Sequence, residues 1–266
     1  VVNARQSSQR TGFGLTGVRQ TVEGGMVREG EAILAGGGEL GEVIRSTDWS
    51  STPLGPIDTW PEHLRTSVSL CINSRYPIVI LWSPDFLTIY NDAARPIVGT
   101  RHPHALGRPA YQVWPDIWSI VEPMLKSVME SGEPTWSEDL MLPMERYGFT
   151  EERYFTFSFA PIYDESTRIC GIFTTILETT RRAISERRGR ILMELNLRML
   201  EAGNEDDACV RAVHLLENDK ADIPFVDFYL LEEGGRFLRL AACAGVAEDS
   251  PPARKRIDLD APVDGQ

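Results

Sequence analysis

Six side chains that sit in or next to apolar segments are the residues of this 266-residue sequence best suited to binding a small molecule. A binding pocket combines an apolar lining with a few polar groups that fix the orientation of its ligand. We predict that both are supplied by Trp82, Tyr90, Asn91, Trp114, Trp136 and Tyr154. The alternative for each aromatic residue is that it fills the core, and Asn91 with Asp92 can instead cap the next helix.

Motifs for catalysis are missing from the sequence. The glycines at 36–38 lack the GxxxxGK[ST] spacing of a phosphate-binding loop and follow no predicted strand. GxSxG, HExxH and HRD motifs are also absent. His214, in RAVHLLEND, lacks the E/D-x-x-x-P pattern that follows a phosphate-accepting histidine, so we treat it as structural. We therefore predict that this chain contains no catalytic domain.

The acidic composition of the chain argues against nucleic-acid binding. Its formal net charge is −12, so its surface repels a phosphate backbone. The basic group Arg181, Arg182, Arg187, Arg188 and Arg190 is predicted to be the solvated face of a helix. No run approaches the roughly 20 apolar residues of a membrane span, and the first residues lack a signal-peptide pattern. We therefore predict a cytoplasmic protein.

The four cysteines are widely separated and form no CxxC pair. Each lies in an apolar segment, where cysteine behaves as a small hydrophobic residue. We predict that Cys71, Cys170, Cys209 and Cys243 are buried free thiols, not zinc ligands or disulfide partners.

Helix and strand patterns begin after residue 30. Residues 1–30 are rich in glycine and polar residues without a hydrophobic period, and we predict a flexible leader there. A short helix follows GGG, and a second helix starts near Pro61. The runs PIVILW and LTIYND, separated by a Pro-Asp turn, predict a β-hairpin. After an irregular stretch, apolar spacing from Ile117 to Met129 predicts a long helix that ends at Gly132.

Three strand-like segments complete the first domain, which we place at residues 31–180. They are TWSEDLMLPM, ERYFTFSFAPIY and ICGIFTTILET. In the second segment Phe155, Phe157 and Phe159 alternate with smaller residues, so one face of this strand is predicted to be buried. With the hairpin, these segments predict an α+β fold whose five-stranded antiparallel sheet has helices on one face.

The remaining residues form a connector and an incomplete domain. Residues 181–203 are rich in helix formers and predict a helical connector able to form a short coiled coil, and hence a dimer. Residues 204–266 begin with a helix capped by Asn204 and continue with a hairpin. One helix and two strands are too few to close a core, so this part is predicted to be the start of a second α+β domain.

Short motifs across residues 51–180 resemble the N-terminal PAS domain of a large group of bacterial sensor histidine kinases. These motifs are STPLGPIDTWPEHLRTSVSLCINSRYPIVILWSPDFLTIYNDAARPIVG, HPHALGRPAYQVWPDIW, GEPTWSEDLMLPMERYGFTEERYFTFSFAPIYDE and CGIFTTILETTRR. The resemblance covers about half of the chain and implies a PAS fold, in which helices and a five-stranded antiparallel sheet enclose a small central pocket. The stretch after the connector is similar to the start of a GAF domain.

This resemblance implies a function in signal transduction. The chain would be the input module of a two-component histidine kinase, and a ligand or a conformational signal would shift its exit helix. Its expected partners are a second copy of the chain, downstream kinase or effector domains, a response regulator and a small-molecule ligand. The alternative is a PAS module that dimerises or docks constitutively around a filled core. A small molecule that co-purifies with the chain would separate the two.

The identity of any cofactor stays open at this stage. A flavin photosensor of the LOV type is disfavoured because GRPAYQVWP contains no cysteine. Haem is disfavoured because His102 and His104 lie in a Pro-flanked loop that we predict to be a surface feature. Bilin is disfavoured because no thiol is placed for its attachment, although Asp222, Ile223 and Pro224 form a DIP tripeptide.

Overall fold

The computed structural model describes residues 34–146, 149–246 and 254–261. The predicted leader at 1–30 lies outside the described residues. Within these residues, two helices precede the sheet, α1 (Gly38–Ser46) and α2 (Glu62–Ile72), with 3-10 turns at Trp49–Ser51 and Ile57–Thr59 between them. Pro61 stands immediately before α2, where its missing N–H costs no helical hydrogen bond.

Five antiparallel strands form the main sheet. They are β1 (Ile78–Trp82), β2 (Leu87–Tyr90), β3 (Thr135–Arg146), β4 (Phe149–Tyr163) and β5 (Ile169–Glu178). The spatial order is β2-β1-β5-β4-β3, so the first and last strands of the domain meet at the centre of the sheet. The predicted hairpin is confirmed by the pairing of β1 with β2. The predicted α+β fold with a five-stranded antiparallel sheet is confirmed as well.

Helices cover both faces of this sheet, and the prediction of helices on one face is wrong. Val79 and Leu81 of β1 face one hydrophobic cluster, and Ile78 and Ile80 face another. The second cluster is formed with the segment before the sheet, including Ile44, Trp49, Trp60, Leu64 and Val68. The physical reason is visible in PIVILW, because a strand that is apolar at every position is buried on both faces.

The segment between β2 and β3 forms the layer over the first cluster. It contains α3 (Arg95–Val98), α4 (Ala110–Val113) and α5 (Trp118–Ser131), with 3-10 turns at Asp92–Ala94 and Gly99–Arg101. The predicted long helix is α5, and its predicted end is confirmed at Gly132. This glycine has φ 73, a left-handed conformation that closes a helix at little cost only when no side chain is present. Pro123 lies inside α5, not in its first turn.

In the described part of the chain after β5, there are two more helices and a second sheet. They are α6 (Thr180–Leu200), α7 (Glu205–Leu216), β6 (Val226–Leu231), β7 (Phe237–Ala244) and β8 (Arg256–Asp258). The three strands form an antiparallel sheet in the order β6-β7-β8. The predicted cap of α7 is confirmed, because the Asn204 side chain accepts a hydrogen bond from the Asp207 N–H at 2.8 Å. Among the described residues, no helix is long and apolar enough to cross a membrane.

The burial of two cysteines differs from the prediction. Cys71 and Cys209 are buried, but Cys170 is only partly buried and Cys243 is exposed. Cys243 lies on β7, where every described side chain is partly or fully exposed, so this short sheet does not bury its apolar positions as the main sheet does.

Candidate functional site

A cavity of about 70 Å³ lies between the main sheet and the helices that follow β2. On the sheet side it is lined by Val79, Leu81, Phe155, Phe157, Phe159 and Thr174, together with Leu142, Met144 and Ile176. The phenylalanines of β4 reach it because alternate residues of a strand share one face, as predicted from their spacing. The sheet therefore provides a wide aromatic wall.

The opposite wall of the cavity comes from α3, α4, α5 and the turn between α4 and α5. Its side chains are Ile97, Ala110, Trp114, Ile117, Trp118, Val121 and Leu125. None of the described side chains that line the cavity is ionisable. Because an unpaired charge is costly to bury, this lining favours an uncharged occupant.

Two polar atoms in the cavity lining have no hydrogen-bond partner. They are Nε1 of Trp114 and Oγ1 of Thr174, and both atoms are shielded from solvent. Trp114 is 8% exposed and Thr174 is 1% exposed. Neither atom is exposed to the cavity, whose accessible surface is almost entirely apolar.

Trp114 is the one member of the predicted site that lines this cavity. It follows the last residue of α4, and its backbone N–H donates to the Ala110 carbonyl at 2.8 Å. The sequence reasoning did not select Thr174, which faces the cavity from the centre of the sheet, opposite Val79 of β1 and Phe159 of β4. A threonine at an inward position of ICGIFTTILET was the available signal.

Tyr90 lies in the same core but outside the cavity lining. It is fully buried, and its hydroxyl lies 2.8 Å from Nδ1 of His102. Burial raises the pKa of Tyr90, and burial together with the charge of Arg95 lowers the pKa of His102. Both shifts favour the uncharged forms of these two side chains. His104 of the same loop is exposed.

Asn91 connects three parts of the backbone. Its Oδ1 accepts hydrogen bonds from the N–H groups of Ile78 and Ala94, both at 3.1 Å. Its Nδ2 lies within 3.1 Å of the carbonyl oxygens of Cys71, Ser74 and Tyr76. The cap formed with Ala94 confirms the alternative role considered for this residue, and Asn91 does not line the cavity.

The other three predicted site residues are dispersed. Trp82 is partly buried at the end of β1, and its ring centroid lies 5.4 Å from that of His63. Trp136 on β3 is 66% exposed. Tyr154 on β4 donates its hydroxyl hydrogen to Glu152 at 2.5 Å. The structure does not bring these residues together with Trp114.

An ion-pair network joins the exit helix α6 to the sheet and to the loop after α7. Arg187 Nη1 lies 2.6 Å from Glu152 Oε1, and Arg187 Nη2 lies 2.9 Å from Asp222 Oδ2. Arg188 also contacts Asp222, at 2.8 Å. The hydrogen bond from Arg187 lowers the pKa of Glu152, and that from Arg188, followed by Arg187, lowers the pKa of Asp222. Arg187 is thus partly buried and paired, and its prediction as a purely solvated residue is wrong.

A second set of polar contacts fixes the start of α6. Asp139 occupies a bulge in β3 with φ 47, and its N–H donates to Thr156 Oγ1 at 3.1 Å. Its carboxylate accepts hydrogen bonds from the Thr179 hydroxyl at 2.5 Å and from Arg182 at 2.8 Å. Because Thr179 is the residue between β5 and α6, this carboxylate couples the edge of the sheet to the direction of the exit helix.

Comparison with curated protein sequences gives no match. Among solved structures, the PAS domain of Bordetella pertussis BvgS is 21% identical with a TM-score of 0.38, and the match covers 50% of this chain and 98% of that one. The PAS domain of the histidine kinase ThkA is 23% identical with a TM-score of 0.30, with coverage of 38% and 98%. A PAS domain from Colwellia psychrerythraea is 16% identical with a TM-score of 0.34, with coverage of 41% and 89%.

The family model described as PAS fold matches residues 77–184. This range contains all five strands of the main sheet, the three helices that cover the cavity and the first turn of α6. Residues 77–184 of this chain are therefore a PAS domain.

Proposed function

We propose that this chain is a sensory input module that converts occupancy of the PAS cavity into a change at its exit helix. The observation on which the proposal rests is the apolar cavity, which is lined on the sheet side by Thr174 and Ile176 of β5 among others. β5 is separated from α6 by Thr179 alone. A shift of the central strand therefore has a short, covalent route to the helix.

The relay would operate through the contacts that hold α6. An occupant that presses on Thr174 or Ile176 would move β5 relative to β3 and β4, since all three strands share one sheet. α6 would then have two arrangements, which differ in whether its contacts with the Asp139 carboxylate and through Arg187 are formed. A ligand can shift such an equilibrium only by its differential affinity for the two states.

The wider assignment rests on the sequence resemblance to sensor histidine kinases. On that basis the proposed output partners are a downstream kinase or effector domain and a response regulator, and the proposed location is the cytoplasm. α7 with the sheet β6-β7-β8 is proposed to be the start of a GAF domain. The ion pairs of Asp222 with Arg187 and Arg188 support a close connection between this part and the exit helix.

Filling the cavity by mutation tests the relay. Ala110 is buried in the cavity lining, so Ala110→Leu adds atoms to the empty space and imitates an occupant. We expect amide hydrogen exchange over α6 to change at least about threefold, because opening of the helix depends on its contacts with the sheet. Ala35→Leu adds the same atoms at an exposed position and serves as the control. An unchanged α6 in a folded Ala110→Leu protein would contradict the relay.

A second candidate function is constitutive dimerisation, and the surface of α6 favours it. Met193, Leu197 and Leu200 are 69%, 60% and 83% exposed and follow four- and three-residue spacing. This spacing is typical of the seam of a coiled coil, in which an apolar stripe pairs with the same stripe of a second copy. Leu177 on β5, next to the start of α6, is 50% exposed and extends the apolar surface towards the sheet.

A further inference from the structure

Arg187 is placed to exchange one acidic partner for another, and the role of that exchange in signalling rests on the proposed sensory function. Its guanidinium bridges Glu152 of β4 and Asp222 in the loop after α7, and Asp219 of the same loop lies next to it. We propose that Arg187 is a two-position latch that leaves Glu152 for Asp219 when β4 moves. The latch would pass a movement of the PAS sheet to the C-terminal unit, which consists of α7 and the sheet β6-β7-β8.

The present position of Arg187 joins the PAS sheet to the loop. Its Nη1 donates to Glu152 Oε1 at 2.6 Å and to the Tyr154 hydroxyl at 3.1 Å. Its Nη2 and Nε donate to Asp222 Oδ2 at 2.9 and 3.1 Å. The side chain is 24% exposed, so these charge-assisted hydrogen bonds are only partly screened by solvent. All three guanidinium nitrogens are engaged, and a new acceptor requires the release of an old one.

Asp219 provides the second position of the latch. Its Oδ2 lies 4.0 Å from Arg187 Nε, outside hydrogen-bond distance. This oxygen is shielded from solvent and has no hydrogen-bond partner within the described parts of the chain. A buried carboxylate oxygen without a donor is costly, so a guanidinium that loses its first partner gains by moving there. A shift of about 1 Å brings the two atoms within hydrogen-bond distance.

The two aspartates of the loop stay together when the sheet moves. The Asp222 N–H donates to the Asp219 carbonyl at 3.2 Å, and Arg188 donates to the Asp222 carboxylate at 2.8 Å. Glu152 belongs to a different element, the strand β4. A movement of β4 relative to the loop therefore breaks the contact of Arg187 with Glu152 before it separates Arg187 from the loop.

A double-mutant cycle in the full chain tests the latch. Glu152→Gln removes the charge of the first partner and keeps its shape, and Asp219→Asn does the same for the second. Hydrogen exchange followed by mass spectrometry reports on the loop at 217–223. NMR reports on the Nε–H resonance of Arg187, which is assigned by its loss in Arg187→Gln. Glu138→Gln makes the same change at an exposed position of β3 and is the control.

We expect Asp219→Asn alone to leave the Arg187 resonance and the loop unchanged, because the Oδ2 atom of Asp219 accepts no hydrogen bond in the starting position. Glu152→Gln should shift the Arg187 resonance while the loop stays protected. Adding Asp219→Asn to Glu152→Gln should reverse this shift and accelerate exchange in the loop about fivefold, because both alternative carboxylates are then lost. Glu138→Gln should change neither measurement.

The outcomes separate the latch from the proposed function. An effect of Asp219→Asn on the loop that is equally large with and without Glu152→Gln overturns the latch, since Asp219 would then hold the loop independently of Glu152. An Arg187 resonance that does not respond to Glu152→Gln also overturns it. If the cycle behaves as expected but Ala110→Leu leaves hydrogen exchange over α6 unchanged, the latch stands and the proposed relay from the cavity is wrong.

Discussion

A single buried amide at Asn91 holds together the end of α2, the start of β1 and the turn after β2. Both of its polar atoms are used: Oδ1 by the N–H groups of Ile78 and Ala94, and Nδ2 by the carbonyls that precede β1. Its neighbour Asp92 extends this role, because its carboxylate accepts hydrogen bonds from the N–H groups of Glu39 and Leu40 at 3.0 Å. Negative charge at the N-terminus of α1 also offsets the helix dipole.

We expect Asn91→Ala to lower the free energy of unfolding by about 3 kcal/mol, because several buried backbone groups would lose their partner. Thermal denaturation should show a decrease of about 5–10 °C in Tm. Asn196→Ala, at an exposed position of α6, is the control and should leave Tm unchanged. An Asn91→Ala variant with the stability of the unchanged chain would contradict this role for the amide.

At the residue scale, the sequence predicted which types of residue line the cavity better than it predicted where in the fold each residue lies. Trp114 was chosen as an aromatic residue with a polar edge, and it lines the cavity with that edge unpaired. Trp136 has the same chemistry and is exposed on β3. The exposure of Trp136 depends on which face of β3 points towards the helices. That face is set by the pairing of β3 with β4 and by the bulge after Ser137, and neither is encoded within the segment itself.

At the scale of elements, Arg187 determines how α6 is held. Its guanidinium contacts Glu152 of β4 on one side and Asp222 on the other, and it is one-quarter exposed as a side chain. Charge-assisted hydrogen bonds of this kind are stronger than neutral ones, and partial burial reduces their screening by salt. The pair would therefore contribute more to the position of α6 than the exposed i,i+4 pair of Arg182 with Glu186.

We expect Arg187→Gln to accelerate amide exchange over the first half of α6 by about fivefold, because the helix would lose its contact with β4. Hydrogen exchange followed by mass spectrometry resolves this segment. Arg190→Gln is a matched control, since Arg190 is exposed on the same helix and forms no ion pair within the described parts of the chain. Equal rates in both variants would show that the network does not hold α6.

The elements themselves were largely accessible from sequence patterns. The alternation in ERYFTFSFAPIY predicts the buried face of β4, and burial of Phe155, Phe157 and Phe159 confirms it. The covering of the second face by α1 and α2 was not predicted. Each of these short helices is compatible with several neighbours, and the contact of Trp49 and Trp60 with the sheet involves residues distant in sequence. Periodicity reports that a face is buried but not which element buries it.

At the scale of the whole molecule, three of the exposed apolar side chains lie along one side of the exit helix. Ile191, Leu195 and Met199 are partly buried on α6, whereas Met193, Leu197 and Leu200 are exposed. The partly buried stripe already has contacts within the chain, and the exposed stripe would be covered by a second copy of the chain. Identical stripes related by a two-fold axis are complementary by symmetry, which makes a homodimer the simplest way to bury them.

A charge in the exposed stripe tests this proposal. We expect the full chain to sediment as a dimer and Leu197→Glu to weaken the dimer about 100-fold, because two carboxylates would face each other in an apolar seam. Analytical ultracentrifugation over a concentration series measures this change. Asn196→Glu introduces the same charge one residue away from the stripe and should leave the dimer intact. A wild-type chain that stays monomeric at every concentration would contradict the proposal. A dimer that persists in Leu197→Glu would place the interface elsewhere, for example on the sheet surface around Trp136.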